Sequence, residues 1–134
     1  MKKVLSYCLV IMMAAGIYAC KKSKADMIVG KWKIGELNTG MEIPAERKAE
    51  FDKQIDELKK TAYFDFKKGG SMEMNMSGKS QKGTWKITDD GKRFINIAEG
   101  SNAVDSLNII ELTDNKFSFS EEARGQKITY TLVK

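Results

Sequence analysis

The sequence contains no histidine, one proline and two cysteines. Without histidine, it lacks the commonest general base and the commonest transition-metal ligand. Both cysteines, Cys8 and Cys20, lie in the N-terminal stretch, so the rest of the chain has no disulfide, thiol nucleophile or thiolate ligand. No serine is followed three positions later by the lysine that serine–lysine acylation requires. These absences argue against an enzyme, and we expect neither a metal nor a cofactor.

The N-terminus has the features of a secretory signal. Met1, Lys2 and Lys3 are followed by an apolar run over residues 4–19. A membrane-spanning helix needs about 20 apolar residues, so this run is short for a transmembrane segment. A basic start, a short apolar middle and small residues at the end are typical of a secretory signal.

The signal ends in Ile17-Tyr18-Ala19-Cys20, which resembles the lipobox of bacterial lipoproteins. The resemblance implies cleavage before Cys20 and attachment of a lipid to that cysteine. We therefore expect residues 1–19 to be a lipoprotein signal peptide, and residues 20–26 to be a lipidated cysteine and its tether. An uncleaved membrane anchor is the alternative.

The polar stretch over residues 21–26 bears on location. An aspartate directly after Cys20 would resemble the inner-membrane retention signal of enterobacteria, but the chain has none there. An acidic run after Cys20 would resemble the surface-export signal of Bacteroidetes lipoproteins, and the chain lacks this run too. We therefore expect a lipid-anchored protein of the bacterial outer membrane facing the periplasm, with surface display as the alternative. Basic residues alternate with acidic ones and form no long stripe, so we expect no nucleic-acid partner.

From residue 27 onward, alternating apolar residues predict eight strands and one helix in a single domain over residues 27–134. The strands are predicted at 27–37, 62–67, 71–77, 83–88, 93–98, 105–112, 116–121 and 126–133. Phe51, Ile55 and Leu58 form an apolar stripe that predicts a helix over 44–61, either packed on the sheet or barrel end or acting as a movable lid. Short turns between sequential strands favour a mostly β fold, an eight-stranded antiparallel up-and-down barrel with one helix between strands 1 and 2. A six-to-eight-stranded sandwich is the alternative.

The alternation also predicts one strand register. If the apolar faces of 62–67 and 71–77 coincide, Phe66 lies opposite Met72, and residues 68–70 form a three-residue hairpin loop. The same register places Asp65 opposite Glu73 on the outer face, where two carboxylates bind a cation, share a proton or are simply solvated. In 93–98 the alternation leaves the inward face open, because both faces carry apolar residues.

Four segments resemble the lipocalin-like lipoproteins of Bacteroidetes. They are "IVGKWKI" at 28–34, "GTWKI" at 83–87, "ELTDNKFSFS" at 111–120 and "YTLVK" at 130–134. The resemblance implies a small lipocalin-like barrel with an apolar ligand cavity, in which Trp32 closes the barrel floor near an arginine late in the chain. Arg124 is the only arginine near the C-terminal end, and it precedes the predicted last strand.

Large, adaptable apolar side chains are the candidate ligand-binding residues. Methionine fills irregular space and suits adaptable binding surfaces, and an eight-stranded barrel is either filled by its side chains or holds one small ligand. The candidates are Trp32, Phe64, Phe66, Met72, Met74, Met76, Trp85 and Tyr130. The same residues pack the interior shut if the barrel is filled.

Two functions are therefore predicted. The first is a lipid-anchored envelope lipoprotein whose barrel binds or carries a small hydrophobic ligand. The alternative is a non-enzymatic interaction module with a filled barrel that docks an unidentified envelope partner. An inhibitor acting through the loop at 99–105 is a third hypothesis. Asp105-Ser106-Leu107 also resembles the O-glycosylation sequon of Bacteroidetes, which makes Ser106 a candidate modification site.

Overall fold

The protein is a closed β-barrel in the computed structural model, which describes residues 21–134. Eight antiparallel strands pair in chain order, and β1 also pairs with β8, so no strand edge is left unpaired. The helices are α1 (Lys24–Ile28) and α2 (Ala45–Thr61). The strands are β1 (Gly30–Asn38), β2 (Tyr63–Phe66), β3 (Ser71–Met76), β4 (Lys79–Ile87), β5 (Arg93–Ala98), β6 (Asp105–Leu112), β7 (Lys116–Ala123) and β8 (Gln126–Val133). The predicted barrel with one helix between strands 1 and 2 is confirmed. The predicted signal peptide and the predicted lipidation site, Cys20, lie outside the described residues.

The connections divide the barrel into two ends. The closed end carries α1 and the loops at 67–70, 88–92 and 113–115. The open end carries α2, the turn at Ser77 and Gly78, and the loops at 99–104 and 124–125.

The predicted register of β2 and β3 is confirmed. Phe66 pairs with Met72 and Asp65 pairs with Glu73. The backbone N–H of Lys67 donates to the carbonyl of Ser71 at 2.8 Å, which leaves residues 68–70 as the hairpin loop. The apolar alternation and the loop length together determine this register: a slip of one residue would move every apolar side chain to the solvent face, and a slip of two would change the three-residue loop.

The start of the domain differs from the prediction. Residues 27–29 were expected in the first strand, but α1 extends to Ile28 and β1 begins at Gly30. A capping box begins α1: the Ser23 hydroxyl accepts from the backbone N–H of Asp26 at 3.1 Å, and the Asp26 carboxylate accepts from the backbone N–H of Ser23 at 3.3 Å. Gly30 has a φ of 130°, a conformation that side-chain-bearing residues rarely adopt, and it turns the chain from α1 into β1.

Strand β4 also begins earlier than predicted, at Lys79 rather than residue 83. Ser77 and Gly78 both have positive φ values, 53° and 79°, and form a two-residue hairpin turn directly before it. The alternation does not reveal this part of the strand because residues 79–82 are all polar and exposed.

Helix α2 follows Pro44, close to the predicted start. Its apolar stripe is only half-buried at Phe51, Ile55 and Leu58, and Leu58 packs against the core. The helix contacts mainly β1 and also β3, so it packs on the barrel at its open end. Within residues 21–134, no helix is both long and apolar enough to cross a membrane.

The closed half of the barrel is filled by aromatic side chains. Trp32 and Phe117 are fully buried there, with ring centroids 6.2 Å apart. Phe66 and Phe94 meet edge to face at 5.5 Å above them. Such edge-to-face pairs are favourable because the positive ring edge meets the negative ring face. These rings fill one end of the barrel interior, and the free volume lies toward the other end.

Candidate functional site

A cavity of about 260 Å³ lies inside the barrel toward its open end. Most of its wall is apolar, and four polar side chains complete it. The apolar lining consists of Phe64, Phe66, Met72, Met74, Met76, Phe94, Leu107 and Phe119, and the polar lining of Asn96, Asp105, Glu121 and Tyr130. The wall is built by six strands, because each strand contributes the side chains of its inward face.

Six of the eight predicted ligand-binding residues line this cavity. Phe64 pairs with Met74 and Phe66 with Met72 across β2 and β3, so aromatic and thioether side chains alternate on the same wall. The other two lining residues that were predicted are Met76 and Tyr130. The alternation placed all of them on the inward face.

The two predicted tryptophans do not line the cavity. Trp32 lies in the floor of the closed end, where its indole N–H donates to the carbonyl of Ile28 at 2.6 Å. Trp85 packs its ring edge to face against Phe66 at 5.8 Å, and its N–H donates to the carbonyl of Ser71 at 3.0 Å. Phe66 lines the cavity and contacts Trp85, so Trp85 supports the wall from behind.

Other lining residues were not nominated from the sequence. Phe94 belongs to the strand whose inward face was left open, and the structure turns Phe94 inward and buries it. Glu121 continues the inward series of Phe117 and Phe119 along β7. The period of two along 117–121 could have identified it. The remaining unpredicted residues are Asn96, Asp105, Leu107 and Phe119.

The polar side chains of the cavity cluster on neighbouring strands. Asn96 pairs with Asp105 across β5 and β6. The Tyr130 hydroxyl donates to the Glu121 carboxylate at 3.2 Å. Burial raises the pKa of Tyr130 to about 12, with further contributions from the charge of Glu121 and from this hydrogen bond. Tyr130 is therefore neutral near pH 7, and the cavity combines an apolar wall with an acidic edge.

A lysine occupies the position at the floor where an arginine was expected. The Lys134 ammonium donates to the carbonyls of Val29 at 3.1 Å and Met27 at 3.2 Å, and it lies 4.5 Å from the centroid of the Trp32 ring. Arg124 instead lies in the turn between β7 and β8, at the open end. Lys134 therefore ties α1 and Trp32 to the end of β8.

The Asp65–Glu73 pair lies on the outer wall, where Glu73 is hydrogen-bonded to two hydroxyl groups. Glu73 accepts hydrogen bonds from the Tyr63 hydroxyl at 2.8 Å and the Ser80 hydroxyl at 3.1 Å. These bonds lower the pKa of Glu73, because they favour its ionised form. Among residues 21–134 no cluster of three or more metal-ligating side chains is present. Ser106, the candidate glycosylation site, is exposed on β6.

Comparison with known proteins identifies the family. Among curated proteins none matches the chain. A crystal structure of a DUF4847 family protein from Bacteroides vulgatus ATCC 8482 is similar in fold, with a TM-score of 0.56 at 11% identity, over 80% of this chain and 93% of that one. A family model described as a lipocalin-like domain matches residues 28–119, which include α1 in part, Trp32 and most of the cavity wall. The chain therefore belongs to the lipocalin-like domain family.

Proposed function

We propose that the protein binds and carries a small hydrophobic ligand in the barrel cavity while anchored to the cell envelope through a lipid on Cys20. The cavity is the observation that carries this proposal. A lipocalin-like barrel suggests ligand binding or transport in general. We assign no catalytic role to any residue.

The cavity is large enough for a ligand. An engineered apolar cavity of about 150 Å³ stays dry and binds benzene, so a cavity of about 260 Å³ corresponds to roughly ten non-hydrogen atoms. Phenylalanine and methionine side chains form most of the wall. Methionine has three flexible side-chain torsions and adapts its shape to a bound molecule. Filling this space would restore dispersion contacts that the wall atoms lack when it is empty.

The interior also discriminates between the two functions predicted from the sequence. A filled barrel that docks a protein requires the methionines to pack against one another and the tryptophans. Aromatic packing fills only the closed half, while Met72, Met74 and Met76 surround free volume. This difference favours ligand binding over the interaction module.

A contact just before α1 supports a particular orientation of the barrel on the membrane. Lys22 forms an exposed ion pair at 3.0 Å with Asp114, in the loop of the closed end between β6 and β7. A lipid on Cys20 would therefore hold the closed end toward the membrane, and the cavity would open toward the aqueous compartment. We propose that this compartment is the periplasm, with the lipid in the outer membrane, and that the cell surface is the alternative.

Methionine methyl NMR tests the ligand site. Residues 21–134 contain five methionines: Met72, Met74 and Met76 in the wall, Met27 in α1 and exposed Met41. We expect titration with neutral 3-phenyl-1-propanol to shift the three wall methyl signals and to leave those of Met27 and Met41 unchanged. Unchanged wall signals, or shifts at Met41 alone, would contradict the proposal.

A substitution at Cys20 tests the anchor separately. Cys20→Ala removes the sulfur that would carry the lipid, so we expect the precursor to incorporate no labelled fatty acid and to retain its signal peptide. Ser23→Ala, three residues away, is the matched control and should be lipidated normally. Fatty-acid labelling of Cys20→Ala at the level of the unaltered protein would exclude this anchor.

A further inference from the structure

The cavity carries charge of one sign at its edge. Asp105 and Glu121 both line it, and no lysine or arginine is among the lining residues of the described chain. Lys79 pairs with Met76 across β3 and β4, and Arg124 lies in the turn between β7 and β8, but neither lines the cavity. A ligand inside the cavity therefore lies against a wall that carries two carboxylates and no basic side chain.

Neutral polar groups complete this edge without compensating the charge. Asn96 pairs with Asp105 across β5 and β6, and its amide offers both a donor and an acceptor. Tyr130 donates its hydroxyl proton to Glu121 at 3.2 Å, so it orients that carboxylate but adds no positive charge. One bond from Tyr130 leaves other lone pairs of the carboxylate free to accept from a ligand.

Aromatic rings line the cavity beside Glu121. Phe119 and Tyr130 stack with their ring centroids 5.2 Å apart, and both line the cavity. A cation within about 6 Å of an aromatic ring is attracted to its negative face. At this edge, carboxylates and ring faces can contact the head group of a ligand. The Phe and Met side chains of the wall can contact the apolar part of the same ligand.

We propose that the ligand is a small amphiphilic cation, an ammonium head on an aromatic or aliphatic body of about ten non-hydrogen atoms in all. This inference rests on the proposed function, since it names the chemistry of the ligand for the same cavity. A fatty acid of the same length is disfavoured, because its carboxylate would be placed beside Asp105 and Glu121 with no counter-charge in the wall.

Three probes that share one body and differ in head group test the inference: 3-phenylpropylamine, 3-phenyl-1-propanol and 3-phenylpropionate. Their dissociation constants are measured for residues 21–134 from the methionine methyl shifts at neutral pH and low salt. We expect the amine to bind about tenfold tighter than the acid, with the alcohol between them, because the two carboxylates attract an ammonium head and repel a carboxylate head. The difference should shrink at high salt.

Matched variants assign the preference to the two carboxylates. Glu121→Gln combined with Asp105→Asn should bring the amine and the acid within about twofold of each other while the alcohol keeps its affinity. Glu122→Gln is the control, because Glu122 is the exposed neighbour of Glu121 on β7. It should leave the amine preference intact.

The outcomes separate this inference from the proposed function. If the alcohol binds at the wall methionines but the amine binds no tighter than the acid, the cationic ligand is excluded and the apolar site stands. If none of the three probes shifts the wall methionines, both the cationic ligand and the proposed ligand-binding function are excluded. If the double variant retains the full amine preference, the two carboxylates do not determine the specificity and the assignment fails.

Discussion

Removal of the Lys134 ammonium should destabilise the closed end of the barrel. The ammonium donates to two carbonyls at the end of α1, those of Met27 and Val29, and lies over the Trp32 ring. Lys134→Met keeps an unbranched four-atom stem but removes the ammonium, and with it both hydrogen bonds and the cation–π contact. The two carbonyls then lose a charged donor at the terminus of a five-residue helix, which has little stability of its own.

The expected loss follows from these contacts. A hydrogen bond from a charged donor contributes about 1.5–3 kcal/mol when well buried, and an exposed cation–π contact about 0.5–1 kcal/mol. Lys134 is exposed, so water replaces part of each interaction and we expect a total loss of about 1–2 kcal/mol. For a domain of this size such a loss lowers the melting temperature by about 4–8 °C.

Urea unfolding of residues 21–134 measures this loss, with two comparisons. Lys127→Met makes the same change at an exposed lysine on β8 and should cost less than about 0.5 kcal/mol. Lys134→Arg retains a cation with several donors and should recover most of the stability. A Lys134→Met protein that is as stable as Lys127→Met would refute the role assigned to Lys134 in closing the floor.

Two further predictions concern the cavity. Met74→Leu roughly conserves volume and should lower the free energy of unfolding by less than about 1.5 kcal/mol. Met74→Glu should abolish binding of 3-phenyl-1-propanol and also lower stability, because it buries a charge in the wall. A Met74→Leu domain that does not fold would contradict the adaptable wall. The raised pKa of Tyr130, about 12 against an ordinary 10, means that its contribution to stability is fully present below pH 10 and is lost as the pH rises from 10 toward 12. Tyrosinate absorbance in a Tyr63→Phe background, where Tyr130 is the one tyrosine left in residues 21–134, should show this late titration, and ionisation near pH 10 would contradict the burial of Tyr130.

The sequence predicts the barrel well because its signals are periodic. The alternation of Phe64 and Phe66 against Met72 and Met74, together with the short loop at 68–70, determines the register of β2 and β3. The eight strands follow from the period of 2.0 residues in their apolar side chains, and α2 follows from the period of 3.6 residues in its apolar stripe. In these elements local pattern and tertiary burial agree, so sequence and structure give the same result.

The missed features depend on contacts that a local pattern does not contain. Helix α1 has only five residues, too few for a visible period, and its capping box at Ser23 and Asp26 lies in a stretch that reads as a polar tether. The inward face of β5 was ambiguous because Ile95 and Ile97 match Phe94 in apolar character. Burial of Phe94 among Phe66 and Phe117 decides it, and those residues lie on distant strands.

The cavity itself could not be predicted from the pattern. Whether the interior is filled depends on how the aromatic rings stack, whereas the alternating pattern predicts only which side chains point inward. Trp85 illustrates this, because its inward position was predicted correctly but Phe66 separates it from the free volume. Lys134 was also missed, because its contacts with α1 join residues more than 100 positions apart.

Native mass spectrometry of the protein, expressed with its N-terminal residues and purified gently from the envelope of the native host, tests the central claim most directly. We predict a small added mass that disappears on denaturation, because the cavity of about 260 Å³ retains an apolar ligand. A Met74→Glu protein prepared in parallel should carry no such mass. The bare protein mass alone, unchanged after incubation with an extract of the host envelope, would contradict the claim that this barrel carries a small molecule.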